Sequence, residues 1–216
     1  MAYVIGIDIG TSALKTLVVN KSGDVVESYS VSYNTAHPKS GYSEIDPEIW
    51  YEATLESLKH ILNHYTHNDI SGISFSGQMH GLVVIDQEGN PIRPAILWND
   101  TRTSQEVEDI KQNLGLNSLL QLTQNTVLEG FTLPKLMWLK NNEQDNYKRI
   151  SKFMLPKDYI VYKLTGNVYT EPSDAAGTIM FSVKDENWST ELLHRLNIDP
   201  SICPEIIASH QKSGQL

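Results

Sequence analysis

A chain of 216 residues with 40% hydrophobic and 20% charged residues has room for one large domain and an ordinary globular composition. Its net charge of −9 argues against nucleic acid and anionic membrane as partners, since both need a positive surface. The single cysteine, Cys203, excludes a disulfide framework and any paired-cysteine metal site; it reads as a small apolar residue in a reducing, cytoplasmic compartment. The N-terminus has no basic segment, and no apolar run approaches about 18 residues, so neither a signal peptide nor a membrane span is expected.

Tyr3–Ile9 is apolar and β-branched and predicts a buried strand. Gly10, Thr11 and Ser12 turn the chain into a second strand, Leu14–Asn20, and Ser22-Gly23-Asp24 turns it into a third, half-exposed one, Val25–Tyr33. Three antiparallel strands therefore open the chain. Asn34–Ile45 reads as loop. Asp46-Pro47 is a cap followed by a first-turn proline, and Trp50, Thr54, Leu55, Leu58, Ile61 and Leu62 recur at helical spacing, predicting a helix over Pro47–His64. Ile70–Phe75 predicts a buried strand of the parallel type. Leu82–Ile85 and Ala95–Trp98 predict shorter strands. Helices are expected at Thr103–Leu114, Leu116–Gln124, Leu133–Asn141, Pro156–Leu164 and Thr190–Leu196, with a strand at Gly177–Val183. The order β-β-β-α-β is not a dinucleotide-binding pattern, which begins β-α-β with a glycine-rich first turn.

Two loops carry chemistry. In Gly6-Ile7-Asp8-Ile9-Gly10-Thr11-Ser12 a carboxylate alternates with isoleucines just before a tight turn. Gly10 lets backbone approach a ligand, and the N–H groups and hydroxyls of Thr11 and Ser12 can bond phosphate oxygens. Asp8 could hold Mg²⁺ through water. A plain turn with a solvated aspartate is the competing reading. In Phe75-Ser76-Gly77-Gln78-Met79-His80-Gly81, two glycines bracket an amide, a thioether and an imidazole at a strand end. Gln78 and His80 offer donors and acceptors suited to a polyol, and Met79 an apolar contact for its carbon chain. A local capping role for the histidine stays open on these grounds.

The first hairpin resembles that of the sugar kinase, Hsp70 and actin superfamily. Gly77–Gly81 is similar to the substrate loop of the xylulokinases, within the FGGY carbohydrate kinase family. Four further segments match that family in order: Pro94–Thr103, Gly130–Leu136, Leu155–Tyr159 and Ser173–Thr178. The likeness runs over essentially the whole chain and favours a xylulokinase over a glycerol kinase, whose loop differs at Gln78–Gly81. Gluconate and ribulose kinases are nearer alternatives. The resemblance implies an α/β, ribonuclease H-like (actin-like) fold with a mixed sheet, an activity that phosphorylates D-xylulose with ATP and Mg²⁺, and a homodimer. It assigns Met79 and His80 to the sugar and Asp8 to phosphoryl transfer and Mg²⁺. Gln78, Asn99, Asp100 and Arg102 are expected around the sugar, with a buried Asp100–Arg102 pair as an alternative role. Gly10, Thr11, Ser12 and Lys15 are expected to meet nucleotide phosphate. Asp174 is expected to be structural. The family's catalytic base lies in a Gly-Asp-Asn-type motif, which this sequence lacks, as it does a second phosphate hairpin and an adenosine motif. Residues 1–216 are therefore expected to be an N-terminal sugar-binding domain, inactive alone, whose nucleotide-binding partner domain belongs to the same polypeptide. An Hsp70- or actin-like ATPase module would explain Asp8–Ser12 but not Gln78–Gly81 or Trp98–Arg102; a non-catalytic binding or interaction domain is the third reading, and the missing half makes it true of this chain alone.

Overall fold

The computed structural model describes residues 2–216. Strands β1 (Tyr3–Ile9), β2 (Ala13–Val19) and β3 (Val25–Ser32) form successive antiparallel hairpins, as the sequence predicts. A two-residue strand, β4 (Glu44–Ile45), lies within the segment expected to be loop. Helix α1 (Pro47–Leu62) begins where the sequence places it: the Asp46 carboxylate accepts from the Glu48 N–H at 3.0 Å. The chain then enters β5 (Ile70–Gly77), which pairs parallel to β1 and gives the sheet order β3-β2-β1-β5.

Register divides this sheet into two faces. Ile5, Ile7 and Ile9 of β1 stand beside Val18, Thr16 and Leu14 of β2, and all six are buried. Trp50, Ala53, Thr54, Ser57 and Ile61 of α1 are buried too, and Ser57 Oγ donates to Thr16 Oγ1 at 2.5 Å beneath the helix. The other face carries Gly6, Asp8 and Lys15, with Ser74 and Ser76 of β5, and it is open. The expectation that Ile70–Phe75 is buried is therefore corrected. β5 pairs only with β1, and Ser71, Gly72, Ser74 and Ser76 are exposed.

Strand β6 (Val83–Ile85) connects two cores. Val83 and Ile85 face the core under the sheet, together with Trp50, Tyr159 and Ile160. Leu82 and Val84 face a helical core with Leu133, Leu136, Leu139, Phe153 and Leu193. Alternation along one short strand thus serves both, as period-2 geometry requires. Strand β7 (Ala95–Ile96) pairs with β4. The helical part comprises α2 (Ser104–Leu114), α3 (Leu116–Thr123), α4 (Thr132–Asn142) and α5 (Gln144–Lys148). Strand β8 (Lys152–Met154), pairing with β6, leads into α6 (Pro156–Thr165), which ends at Gly166 with φ of 76°.

The tail of the chain alternates short pieces: β9 (Tyr169–Thr170), α7 (Pro172–Ala176), β10 (Phe181–Ser182), β11 (Asn187–Trp188), α8 (Thr190–Arg195) and β12 (Glu205–Ile206). The strand expected at Gly177–Val183 reduces to Phe181–Ser182. The Thr178 N–H and Oγ1 both bond the Ala175 carbonyl, at 3.0 and 2.6 Å, and Ile179 takes φ of 66°, so the chain turns instead of extending. Cys203 is free and buried, as expected. Among the described residues, no helix is long and apolar enough to cross a membrane.

Candidate functional site

The glycines at 77 and 81 have steric causes. A Cβ on Gly77 would stand 3.2 Å from the Ile9 carbonyl oxygen and 3.4 Å from Lys157 Cβ; one on Gly81 would stand 2.7 Å from Pro156 Cγ. The loop is wedged between the first hairpin and the start of α6. Gln78 joins it to the hairpin twice: its N–H bonds the Ile9 carbonyl at 2.7 Å, and its Nε2 donates to the Gly10 carbonyl at 3.1 Å. Gln78 is buried, and its Oε1 has no partner. A buried amide oxygen without a donor is costly unless a ligand supplies one. Met79 is 47% exposed.

His80 takes φ of 63°, a left-handed conformation uncommon for a side chain of its size. It is held from three sides. Its carbonyl accepts from Thr132 Oγ1 at 3.2 Å and Lys135 Nζ at 2.9 Å. Its ring meets Phe131 edge-on, with centroids 4.5 Å apart. On the remaining side lies Gly177, where a Cβ would come within 2.6 Å of His80 Cε1, so only glycine leaves room for the ring. Burial, with Lys135 nearby, lowers the imidazole pKa. The ring Nδ1 is buried against the Gly177 backbone. The lowered pKa favours the neutral ring, and its other nitrogen can bond a hydroxyl as donor or acceptor.

The hairpin that follows β1 is equally braced. A Cβ on Gly10 would lie 2.8 Å from the Ala13 carbonyl oxygen. The Gly10 carbonyl accepts from Tyr33 Oη at 2.7 Å as well as from Gln78. Trp98 Nε1 donates to Thr11 Oγ1 at 3.0 Å, which ties down the hydroxyl expected to meet phosphate. Ser12 is exposed. Asp8 and Lys15 face each other across β1 and β2 and border a hollow of about 330 Å³ on the open sheet face, with Ser74 and Ser76 beside them. An exposed carboxylate beside hydroxyls and an ammonium suits a hydrated Mg²⁺ with its phosphate, because Mg²⁺ keeps most of its waters. The residues present fit that group.

Of the two roles expected of Asp100 and Arg102, sugar contact or buried pair, the structure shows the buried pair. Asp100 is fully buried, and the Arg102 side chain is 1% exposed, so neither presents surface to a ligand. Arg102 Nε and Nη2 grip Asp100 at 2.9 and 2.6 Å, and Nη2 also reaches Glu44 Oε1 at 2.7 Å. The guanidinium lies 3.7 Å above the Tyr42 ring centroid. Asp100 further accepts from the Ser43 N–H at 2.6 Å. The cause is geometric: the chain turns at Leu97–Asp100, and the bidentate pair holds that turn against the segment before α1. The neighbouring Asn99 is exposed.

Two lysines complete the wall, and sequence reasoning gave neither a role. Lys135 is fully buried and donates to the carbonyls of His80 and of Gly130, the latter at 2.6 Å; burial pushes its pKa down to about 7. Lys157 pairs with Asp158 at 2.7 Å, Asp174 at 3.0 Å and Glu171 at 3.4 Å. Burial alone would lower its pKa, but Asp158 and Asp174 outweigh it and raise it. Asp174 is thus a partner of Lys157 on the short helix before Gly177. The available signals were a lysine on the apolar face of a predicted helix, and one at the proline-led start of another.

The chain matches the FGGY family of carbohydrate kinases, N-terminal domain, over residues 3–216. It is 97% identical over its whole length to a xylulose kinase of Staphylococcus xylosus, of which it covers 45%. Among solved structures it is similar to a xyloylose kinase from Brucella ovis, with 34% identity and a TM-score of 0.93, over 98% of this chain and 44% of that one. It is also similar to a gluconate kinase from Lactobacillus acidophilus, with 30% identity and a TM-score of 0.90, over 95% of this chain and 42% of that one. The chain spans about half the length of the curated relatives it matches.

Proposed function

Since the chain belongs to the FGGY family of carbohydrate kinases and forms its N-terminal domain, we propose that it is the sugar-binding half of an ATP-dependent D-xylulose kinase. The observation that carries this reading is the bond from Gln78 to Gly10, which makes the glycine-bracketed loop and the first hairpin one continuous wall. A sugar held by the loop then lies beside whatever the hairpin binds. Met79 supplies an exposed apolar surface for the sugar's carbon chain. The neutral His80 ring and the unpartnered Gln78 Oε1 supply polar contacts for its hydroxyls.

In the whole protein, the terminal hydroxyl oxygen of the sugar forms a bond to the γ-phosphorus, and the bond from that phosphorus to the β–γ bridging oxygen breaks, releasing ADP. The hydroxyl proton passes to a carboxylate outside residues 1–216. The role of this chain is positioning: Gly10, Thr11, Ser12 and Lys15 would hold phosphate oxygens, and Asp8 would hold Mg²⁺ through water. Mg²⁺, when bound, offsets charge on the transferring phosphate. Closure against the partner domain would exclude water.

A gluconate kinase is the second reading, favoured by the Lactobacillus acidophilus relative. The wall argues for an uncharged polyol. The two lysines of the wall are already engaged, Lys135 by two carbonyls and Lys157 by three carboxylates, so neither is left for a substrate carboxylate. ADP release by the full-length protein with ATP-Mg²⁺ and, in parallel, D-xylulose, L-ribulose, gluconate and glycerol tests the choice. D-xylulose is expected to drive turnover best. Preference for gluconate would overturn the assignment of the loop, and sugar-independent turnover would overturn the kinase reading.

A further inference from the structure

Where α1 crosses the edge strand β3, three metal-ligating side chains converge away from the loop and the first hairpin. His60 lies in the last turn of α1, and His64 lies two residues past its end, in the turn closed by its N–H on the Ile61 carbonyl. Glu27 of β3 projects toward them. Its Oε1 lies 3.2 Å from His60 Nε2 and 2.8 Å from His64 Nδ1. One ligand atom from each residue lies within 4.8 Å of the other two. All three remain accessible, with side chains 36%, 55% and 18% exposed for His60, His64 and Glu27.

We propose that Glu27, His60 and His64 form a binding site for a divalent transition-metal ion, with Zn²⁺ as the best-matched occupant. The donor set is two imidazoles and a carboxylate, which suits zinc and its neighbours rather than Mg²⁺. In a tetrahedral site with bonds of about 2.0–2.1 Å, ligand atoms stand roughly 3.4 Å apart. The His60–Glu27 spacing is already close to that. The His64–Glu27 spacing has to open by about half an ångström, which an exposed side chain at a helix end permits. Water would take the fourth position.

The neighbours pre-orient this set. The Tyr29 ring stacks on the His60 ring at 3.9 Å and fixes its plane, and the Tyr29 hydroxyl is tied to Glu56 at 3.0 Å. The Tyr65 hydroxyl lies beside the Glu27 carboxylate; burial and that carboxylate together raise its pKa. Such outer contacts hold metal ligands in place and tune them. Without an ion, the group is a carboxylate shared by two imidazoles. With an ion, the site cross-links the sheet edge to the helix covering the sheet.

The test uses tag-free full-length protein, with Co²⁺ as a spectroscopic probe and Zn²⁺ in calorimetry. One Zn²⁺ per chain should bind saturably and raise the melting temperature. Co²⁺ should give the visible absorption of a low-coordinate site, and a hundredfold excess of Mg²⁺ should displace neither. His64→Ala and Glu27→Gln should each weaken binding at least tenfold while sugar-dependent turnover measured without added transition metal is unchanged. Circular dichroism would confirm that both variants fold, and His64→Gln provides a closer steric match. Zn²⁺ binding equally tight in the variants, or no saturable binding below millimolar concentration, would overturn the proposal.

Discussion

Lys135→Met probes the most unusual charge in the wall. Lys135 is fully buried, and its ammonium is met by two carbonyls, with no carboxylate within ion-pairing distance among the described residues. Its pKa falls from 10.5 to about 7, first because of burial. Below pH 7 the folded and unfolded states both carry the proton, and folding bears the full cost of burying it. Between pH 7 and 10.5 the unfolded chain keeps the proton while the folded one releases it, so stability rises with pH. From pH 7 to about pH 9 this one group should add about 2 kcal/mol. Methionine fills similar volume but cannot titrate. It leaves the Gly130 carbonyl without its lysine donor, whereas the His80 carbonyl keeps Thr132. Urea unfolding of wild type and variant at pH 7, 8 and 9 isolates the term, because the other groups largely cancel in the difference. The wild type should gain on the variant by about 2 kcal/mol across that range. A difference that stays flat with pH would refute a buried, depressed lysine.

Three other perturbations separate positioning from stability. Arg102→Met leaves Asp100 buried without its main partner and should cost about 3–5 kcal/mol, read as a lower urea midpoint. Gly177→Ala places a methyl within 2.6 Å of the His80 ring and should raise the sugar KM with little change in the ATP KM. Gln78→Ala removes the tie from the loop to the Gly10 carbonyl and should lower kcat as well as weaken sugar binding; an unchanged kcat would mean that the two loops act independently.

Much of the first half of the chain was legible because local rules and packing agree there. The three hairpin strands alternate, and α1 opens with an aspartate cap and a proline in its first turn, so the elements and the start of α1 were legible, while α1 ends at Leu62, two residues before the expected His64. Ile70–Phe75 misled because Ile70, Ile73 and Phe75 suggest burial, whereas an edge position leaves Ser74 and Ser76 in the open. Gly177–Val183 misled because alternation cannot reveal an Ile179 turned to positive φ by tertiary packing. At the site, the glycine bracket was visible, but the steric partners that require it, Ile9 and Pro156, are distant in sequence. For Asp100 and Arg102 the sequence left two roles open, a sugar contact or a buried pair, and only burial in the folded chain shows the pair. Lys135 and Lys157 acquire their roles only when α4 and α6 pack around His80 and Asp174.

The central claim is that loop 77–81 grips the sugar while the first hairpin serves the phosphate. The most direct measurement is a two-substrate initial-rate analysis of the full-length protein carrying His80→Gln, varying D-xylulose and ATP-Mg²⁺ independently. The account predicts a D-xylulose KM raised at least tenfold with the ATP KM within a factor of about two, equivalent to a loss of at least about 1.4 kcal/mol of sugar binding where KM reports affinity. Equal effects on both substrates, or none on the sugar, would contradict it.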